Sequence, residues 1–216
     1  MNKFNLQKTT YIFDFDGTLA DTLPLCFDCF RKVFKQFNNI EMTNKEIVKS
    51  FGPSEERIIE KNLINKADTS KAIDMFYTLY LQQHDSFITR KEIDQVLNLL
   101  DNLKSNQKKI GMVTGKGRRV LEMSLDKLGL GNYFDAMITD DDVINHKPDS
   151  EGLLKTLKVL DSSPEEAVFF GDGNADIGAG KNAGVTTVGV RWFSENSFEL
   201  APDFISDSPS EFVISS

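Results

Sequence analysis

The sequence predicts an α/β protein: a Rossmann-like parallel sheet with helices on both faces, plus an inserted all-helical segment. Three observations carry this. Tyr11-Ile12-Phe13 is apolar on both strand faces and stops abruptly in carboxylates and a glycine, as a strand buried in a parallel sheet does. Four more short apolar runs alternate with helix-period segments after residue 93, the pattern of repeated β-α units. Between these parts, residues 21–85 carry helical periods and no strand-like run.

Taken in order, the first strand ends in Asp14-Phe15-Asp16-Gly17-Thr18. The insert then shows Leu25, Cys29, Phe30, Val33, Phe34 and Phe37, followed by Ile58, Ile59 and Leu63, then Ile73, Phe76, Tyr77 and Tyr80. These spacings of three and four predict about four helices. Thr43 with Glu46 has capping-box spacing, Gly52-Pro53 reads as a turn, and residues 67–70 precede the last helix of the block. Helix 93–103 follows, then strand 109–113 ending in Thr114-Gly115-Lys116-Gly117. Helix 120–128 closes on Gly129. Strand 136–139 ends in Asp140-Asp141-Asp142, and helix 151–160 comes next. Strand 167–170 ends in Gly171-Asp172-Gly173-Asn174-Ala175-Asp176, helix 179–183 follows, and 186–190 is the last core strand. The domains expected are therefore a core of residues 1–18 and 87–216 and a helical domain of residues 19–86.

The chain has 216 residues, 40% hydrophobic and 27% charged, ordinary values for a globular protein with a core. No apolar run approaches the roughly 20 residues of a membrane span, and the first residues lack the apolar stretch of a secretory signal. With 25 basic against 33 acidic residues the net charge is −8, which argues against nucleic acid as a partner. These features lead us to expect a cytoplasmic protein working on a small molecule, with no nucleic-acid or membrane partner. The patterning specifies no oligomeric state. Cys26 and Cys29 lie on one face of a helical segment and read as packing groups; a zinc site would need two more ligands, and His84 and His146 are isolated.

Ligands of open α/β sheets bind at the carboxyl ends of the strands. In this chain those ends collect Asp14 and Asp16, then Thr114, Gly115 and Lys116, then Lys147, then Asp172 and Asp176. Four carboxylates repel each other unless a cation neutralises them or some are protonated. An all-oxygen set suits Mg²⁺. A hydroxyl, a free amide and a lysine are donors for phosphate oxygens, and an aspartate there is a competent nucleophile. The residues thus point to Mg²⁺-dependent phosphoryl transfer to a carboxylate, acting on a small-molecule phosphate.

These residues resemble the four signature motifs of the haloacid dehalogenase superfamily, in chain order. Phe13-Asp14-Phe15-Asp16-Gly17-Thr18-Leu19 is similar to the first, Val113-Thr114-Gly115-Lys116 to the second, Lys147-Pro148-Asp149 to the third, and 171–177 to the fourth. The helical insert resembles the cap of phosphoglycolate-phosphatase-like members, and the stretches 140–148, 163–167 and 180–184 resemble those enzymes and pyrophosphatases of the PpaX type. The resemblance implies a core of the haloacid dehalogenase type with Asp14 as nucleophile and metal ligand. It implies Asp16 as general acid and base, binding metal through its backbone carbonyl. Thr114 and the Gly115 amide would hold the phosphoryl group, and Lys147 would steady Asp14 and the transferring charge. Asp172 would bind Mg²⁺, with Asp176 supporting that end of the metal site. His146, Ser150 and Gly173 depart from the commoner glycine, proline and serine, and bear on substrate rather than mechanism.

The function implied is hydrolysis of a small anionic phosphate, phosphoglycolate or pyrophosphate, through an aspartyl-phosphate. The alternatives are a β-phosphoglucomutase-like phosphomutase and a non-catalytic phosphate-binding module. Two further expectations concern side chains. Lys116 is expected to point outward and to matter less than Lys147. The turn Phe51-Gly52-Pro53-Ser54 is expected nearest the substrate, with Arg57, one helical turn on, either a cation for the substrate or a solvated surface arginine.

Overall fold

The computed structural model of the chain describes residues 6–50, 54–88 and 93–212. Six strands form one parallel sheet: β1 (Thr10–Phe13), β2 (Lys109–Val113), β3 (Ala136–Ile138), β4 (Ala167–Gly171), β5 (Thr186–Val190) and β6 (Phe204–Ser206), in the order β3-β2-β1-β4-β5-β6. The chain winds outward from β1 to β3, then restarts at β4 on the other side of β1. The gap between the carboxyl ends of β1 and β4 is therefore the topological switch point, where such sheets bind ligands.

All four residues of β1 are buried, which is why Tyr11, Ile12 and Phe13 are apolar on both faces. Tyr11 and Phe13 share one face with Phe170, the Phe13 and Phe170 rings stacking at 4.7 Å. Helices α5 (Asp94–Ser105) and α6 (Arg118–Leu128) bring Leu100, Leu103, Leu121 and Leu125 to that face. Ile12 and Phe169 point the other way, into a smaller cluster with Leu153 and Leu157 of α7 (Glu151–Val159) and Ala179 and Ala183 of α8 (Asn174–Ala183).

Four helices, α1 (Leu23–Asn38), α2 (Asn44–Val48), α3 (Glu55–Asn62) and α4 (Thr69–Phe87), stand between β1 and α5. The capping box at α2 forms: the Thr43 N–H donates to Glu46 Oε2 at 2.7 Å and the Glu46 N–H to Thr43 Oγ1 at 3.3 Å. Phe30 of α1 packs on Phe76 of α4, with ring centroids 4.8 Å apart. Cys26 and Cys29 are buried free thiols on the packed face of α1. The apolar cluster of these helices runs on into the α5–α6 face of the sheet, and the hydroxyls of Tyr80 (α4) and Ser124 (α6) meet at 2.7 Å.

Two elements differ from the sequence reading. The edge strand β6 has only three residues and exposes Ile205, so it leaves no apolar run to find. Helix α8 starts at Asn174 rather than 179, because Asp176 caps its first turn by accepting the Gly173 N–H at 2.9 Å; the glycines there mask the helical period. Residues 51–53 of the expected substrate-side turn lie outside the described residues.

Candidate active site

Two strand ends and one turn at the switch point set the main carboxylates. Asp14 directly follows β1 and donates its N–H to the Phe170 carbonyl of β4 at 2.9 Å. Gly17, with φ of 77°, turns the chain back beneath Asp172, which directly follows β4. Ligand oxygens of Asp14, Asp172 and Asp176 lie within 4.8 Å of one another. Lys147, from the loop between β3 and α7, reaches into the group. Its Nζ is 2.7 Å from Asp14 Oδ1, 2.6 Å from Asp176 Oδ1 and 3.4 Å from the Val113 carbonyl.

Three carboxylates against one ammonium leave excess negative charge in a buried place. Burial, with the charges of Asp176 and Asp16 adding to it, pushes Asp14 up to about 7 although Lys147 opposes the shift. Burial, then Asp176 and Asp14, push Asp172 up to about 8. Burial alone would pull Lys147 down, yet Asp14 and Asp176 outweigh it and hold the lysine above its ordinary value. A hard divalent cation fits such a set: all donors are oxygens, and the surplus charge is of the sign it removes.

The Asp16 carboxylate does not join the trio. It meets Lys116 Nζ at 2.8 Å (Oδ1) and 3.2 Å (Oδ2) and accepts a short hydrogen bond from the Thr22 hydroxyl, so any part it takes at a metal is through its main chain. Thr114 lies at the end of β2, where its Oγ1 accepts the Lys116 N–H at 3.1 Å. Gly115 lines the cavity, and a Cβ there would meet open space.

The expectation that Lys116 points outward is wrong. Its residue is 1% exposed; the side chain turns inward because Asp16 and Glu55 neutralise it there, Glu55 Oε1 at 3.1 Å. Glu55 is a residue sequence reasoning missed, since an acid at a helix start looks like ordinary capping. Asn196 was missed as well. Its Nδ2 donates to both the Oδ2 and the main-chain O of Asp172, each at 3.0 Å, from a loop without a recognisable pattern. Arg57 is half-exposed, 3.6 Å from Asp140, and does not line the cavity. His146 Nδ1 lies 2.5 Å from the same aspartate.

A cavity of about 330 Å³ opens over the carboxylates. Its floor is the sheet rim, with Asp14, Thr114, Lys147 and Asp172; the opposite wall comes from the inserted helices, including Phe27 and Ile58. No described helix is long and apolar enough to cross a membrane.

A carboxylate cluster under a cleft at the switch point of a doubly wound sheet is the arrangement of an α/β hydrolytic enzyme rather than of a packing scaffold. Residues 11–190 match the haloacid dehalogenase-like hydrolase family, and the chain belongs to it. Pyrophosphatase PpaX of Bacillus mycoides is 34% identical over 215 residues, covering 96% of both chains. Two solved structures share the fold. A predicted phosphoglycolate phosphatase from Haemophilus somnus has a TM-score of 0.80 at 19% identity, covering 95% of this chain and 96% of that one. The β-phosphoglucomutase of Clostridium difficile has 0.78 at 24% identity, covering 94% and 92%.

Proposed function

We propose that this hydrolase is a Mg²⁺-dependent phosphatase acting on a small anionic phosphate, pyrophosphate or phosphoglycolate, in the cytoplasm. The observation that carries the reading is the Lys147 ammonium set between Asp14 and Asp176, with Asp172 completing the trio. The two compounds come from the named activities of the relatives, and buried free thiols suit a reducing compartment. The acidic chain suits neither nucleic acid nor an anionic membrane surface.

Asp14 and Asp172, with Asp176 and the Asp16 main-chain carbonyl in support, would hold the ion. Bound there, Mg²⁺ would offset the charge of the carboxylates and the phosphate oxygens. Asp14 attacks phosphorus and forms an aspartyl-phosphate as the bond to the leaving group breaks. Asp16 gives that leaving group its proton, then takes a proton from the water that attacks phosphorus. Orthophosphate leaves and Asp14 is restored. Lys147 balances the charge on the transferring group, and Thr114 with the Gly115 amide orients it.

The test is turnover of pyrophosphate, phosphoglycolate, p-nitrophenyl phosphate and sugar phosphates by the wild-type chain and Asp14→Asn, with Mg²⁺. The amide is nearly isosteric but a poor nucleophile. We expect hydrolysis by the wild type and loss of more than about a thousandfold in the variant, over 4 kcal/mol of barrier. Isomerisation of a sugar phosphate without net hydrolysis would make it a mutase. Phosphate binding without turnover would make it a binding module.

A further inference from the structure

Lys116 leaves the loop between β2 and α6, yet its ammonium ends inside the inserted helices. Three of them contribute a partner: Cys26 Sγ of α1 at 3.5 Å, Glu55 Oε1 of α3 at 3.1 Å, and the ring of Tyr80 of α4, whose centroid is 5.3 Å away. Its partner from the β1 end is Asp16, and it touches both carboxylate oxygens. The Lys116 side chain is fully shielded from solvent and that of Glu55 is 8% exposed. A cation so placed depends on its carboxylates, because water cannot replace them.

Glu55 is tied to the same loop twice. Its Oε1 meets the Lys116 ammonium, and its Oε2 accepts the Gly117 N–H at 2.8 Å. The start of α3 is fastened again next door, where the Ser54 N–H donates to Asp140 Oδ2 at 2.6 Å. The seat of α3 on the core, the position of the Lys116 head and the direction of the Asp16 carboxylate are thus one connected set of contacts. Lys116 is a poor candidate for a phosphate ligand, since two carboxylates already occupy it.

We propose that Glu55 and Lys116 are positioning residues: docking of α3 places the Lys116 head, which in turn aims the Asp16 carboxylate at the leaving group. This rests on the phosphatase reading and on Asp16 as its proton donor. Chemistry is then coupled to the docking of a helix that itself supplies no reacting group.

The experiment compares kcat/KM for phenyl phosphate and p-nitrophenyl phosphate, with saturating Mg²⁺. The two esters are alike in shape, but only the poorer leaving group, phenoxide, depends strongly on a proton donor. Glu55→Gln keeps an acceptor for the Gly117 N–H and removes the charge. We expect it to lower kcat/KM for phenyl phosphate on the order of tenfold more than for p-nitrophenyl phosphate, in a chain that melts lower than wild type but is folded at the assay temperature. Lys116→Met should show the same selective loss, and adding Glu55→Gln to it should cost nothing further. Equal losses on both esters, or additive losses in the double variant, would overturn the positioning role. If Lys116→Met does not fold, the leaving-group ratio of Glu55→Gln decides alone. A wild-type chain that hydrolyses neither ester, nor pyrophosphate, nor phosphoglycolate overturns the phosphatase reading together with this one; wild-type turnover of any of them with no leaving-group-selective loss in Glu55→Gln overturns only this one.

Discussion

The Asp172 carboxylate lies directly against the α-carbon of Gly17: a Cβ built there would fall 2.3 Å from Oδ2 and 2.6 Å from Cγ. Gly17 also holds a left-handed φ of 77°. The glycine after Asp16 is thus needed twice, once for the turn and once for the space that Asp172 fills.

Gly17→Ala should therefore lower stability by about 2 kcal/mol or more, from the left-handed backbone and the displaced carboxylate together. It should also weaken Mg²⁺ binding. Gly115→Ala is the control, because its Cβ enters open space; its unfolding free energy in urea should stay within about 0.5 kcal/mol of wild type. Equal melting of the two variants would contradict the packing argument.

The raised carboxylates set a pH dependence in metal-free protein. Asp14 and Asp172 move from an ordinary value of 3.8 up to about 7 and about 8. Folding thus favours their protonated forms, so their contribution is full below pH 4 and is lost as pH rises through 7 and 8. In EDTA the melting temperature should fall between pH 5 and 9, and Mg²⁺ should restore most at the alkaline end. Asp172→Asn should flatten the metal-free profile. A variant profile parallel to wild type would show that Asp172 is not the source.

The two lysines should fail in different ways. Lys147→Ala leaves Asp14 and Asp176 without their cation, a deficit that Mg²⁺ can offset, so the metal should recover much of the lost melting temperature while turnover stays down by roughly 10²–10³. Lys116→Ala strands Asp16 and Glu55 away from the trio. It should cost about 3 kcal/mol, which Mg²⁺ does not return. Differential scanning fluorimetry with and without Mg²⁺ separates them; equal rescue of both would mean the two clusters are one. The ranking read from sequence, Lys147 above Lys116, concerns turnover; the inward turn of Lys116 adds a cost in stability.

What the sequence shows and hides follows from the range of each signal. The buried parallel strands are legible because they are apolar on both faces, and Asp14, Thr114 and Asp172 because each directly follows a strand; Lys147 lies further along the loop after β3 and is legible through its Lys147-Pro148-Asp149 motif. The rest depends on side-chain direction across the fold. Asp16 and Lys116 flank the same rim as the trio, yet they turn to each other and to Glu55, 61 residues before the lysine. No local spacing encodes that pairing. Asn196 likewise reaches Asp172 from 24 residues away.

Asn196 provides the last test. Its Nδ2 fixes Asp172 through both the side-chain Oδ2 and the main-chain carbonyl, at 3.0 Å each, and its own carbonyl accepts the Arg191 Nε–H at 2.9 Å. It touches none of the other two carboxylates of the trio, so its removal should alter orientation rather than chemistry. Partners that orient a metal ligand are typically worth about 10–100-fold in metal affinity or activity. Asn196→Ala should therefore raise the Mg²⁺ concentration for half-maximal turnover by about tenfold or more, with kcat at saturating Mg²⁺ within about threefold of wild type. Isothermal titration with Mg²⁺ gives an independent reading of the same loss. An unchanged Mg²⁺ requirement would mean that burial and Gly17 alone hold Asp172 in place, and that the Asn196 contact is packing.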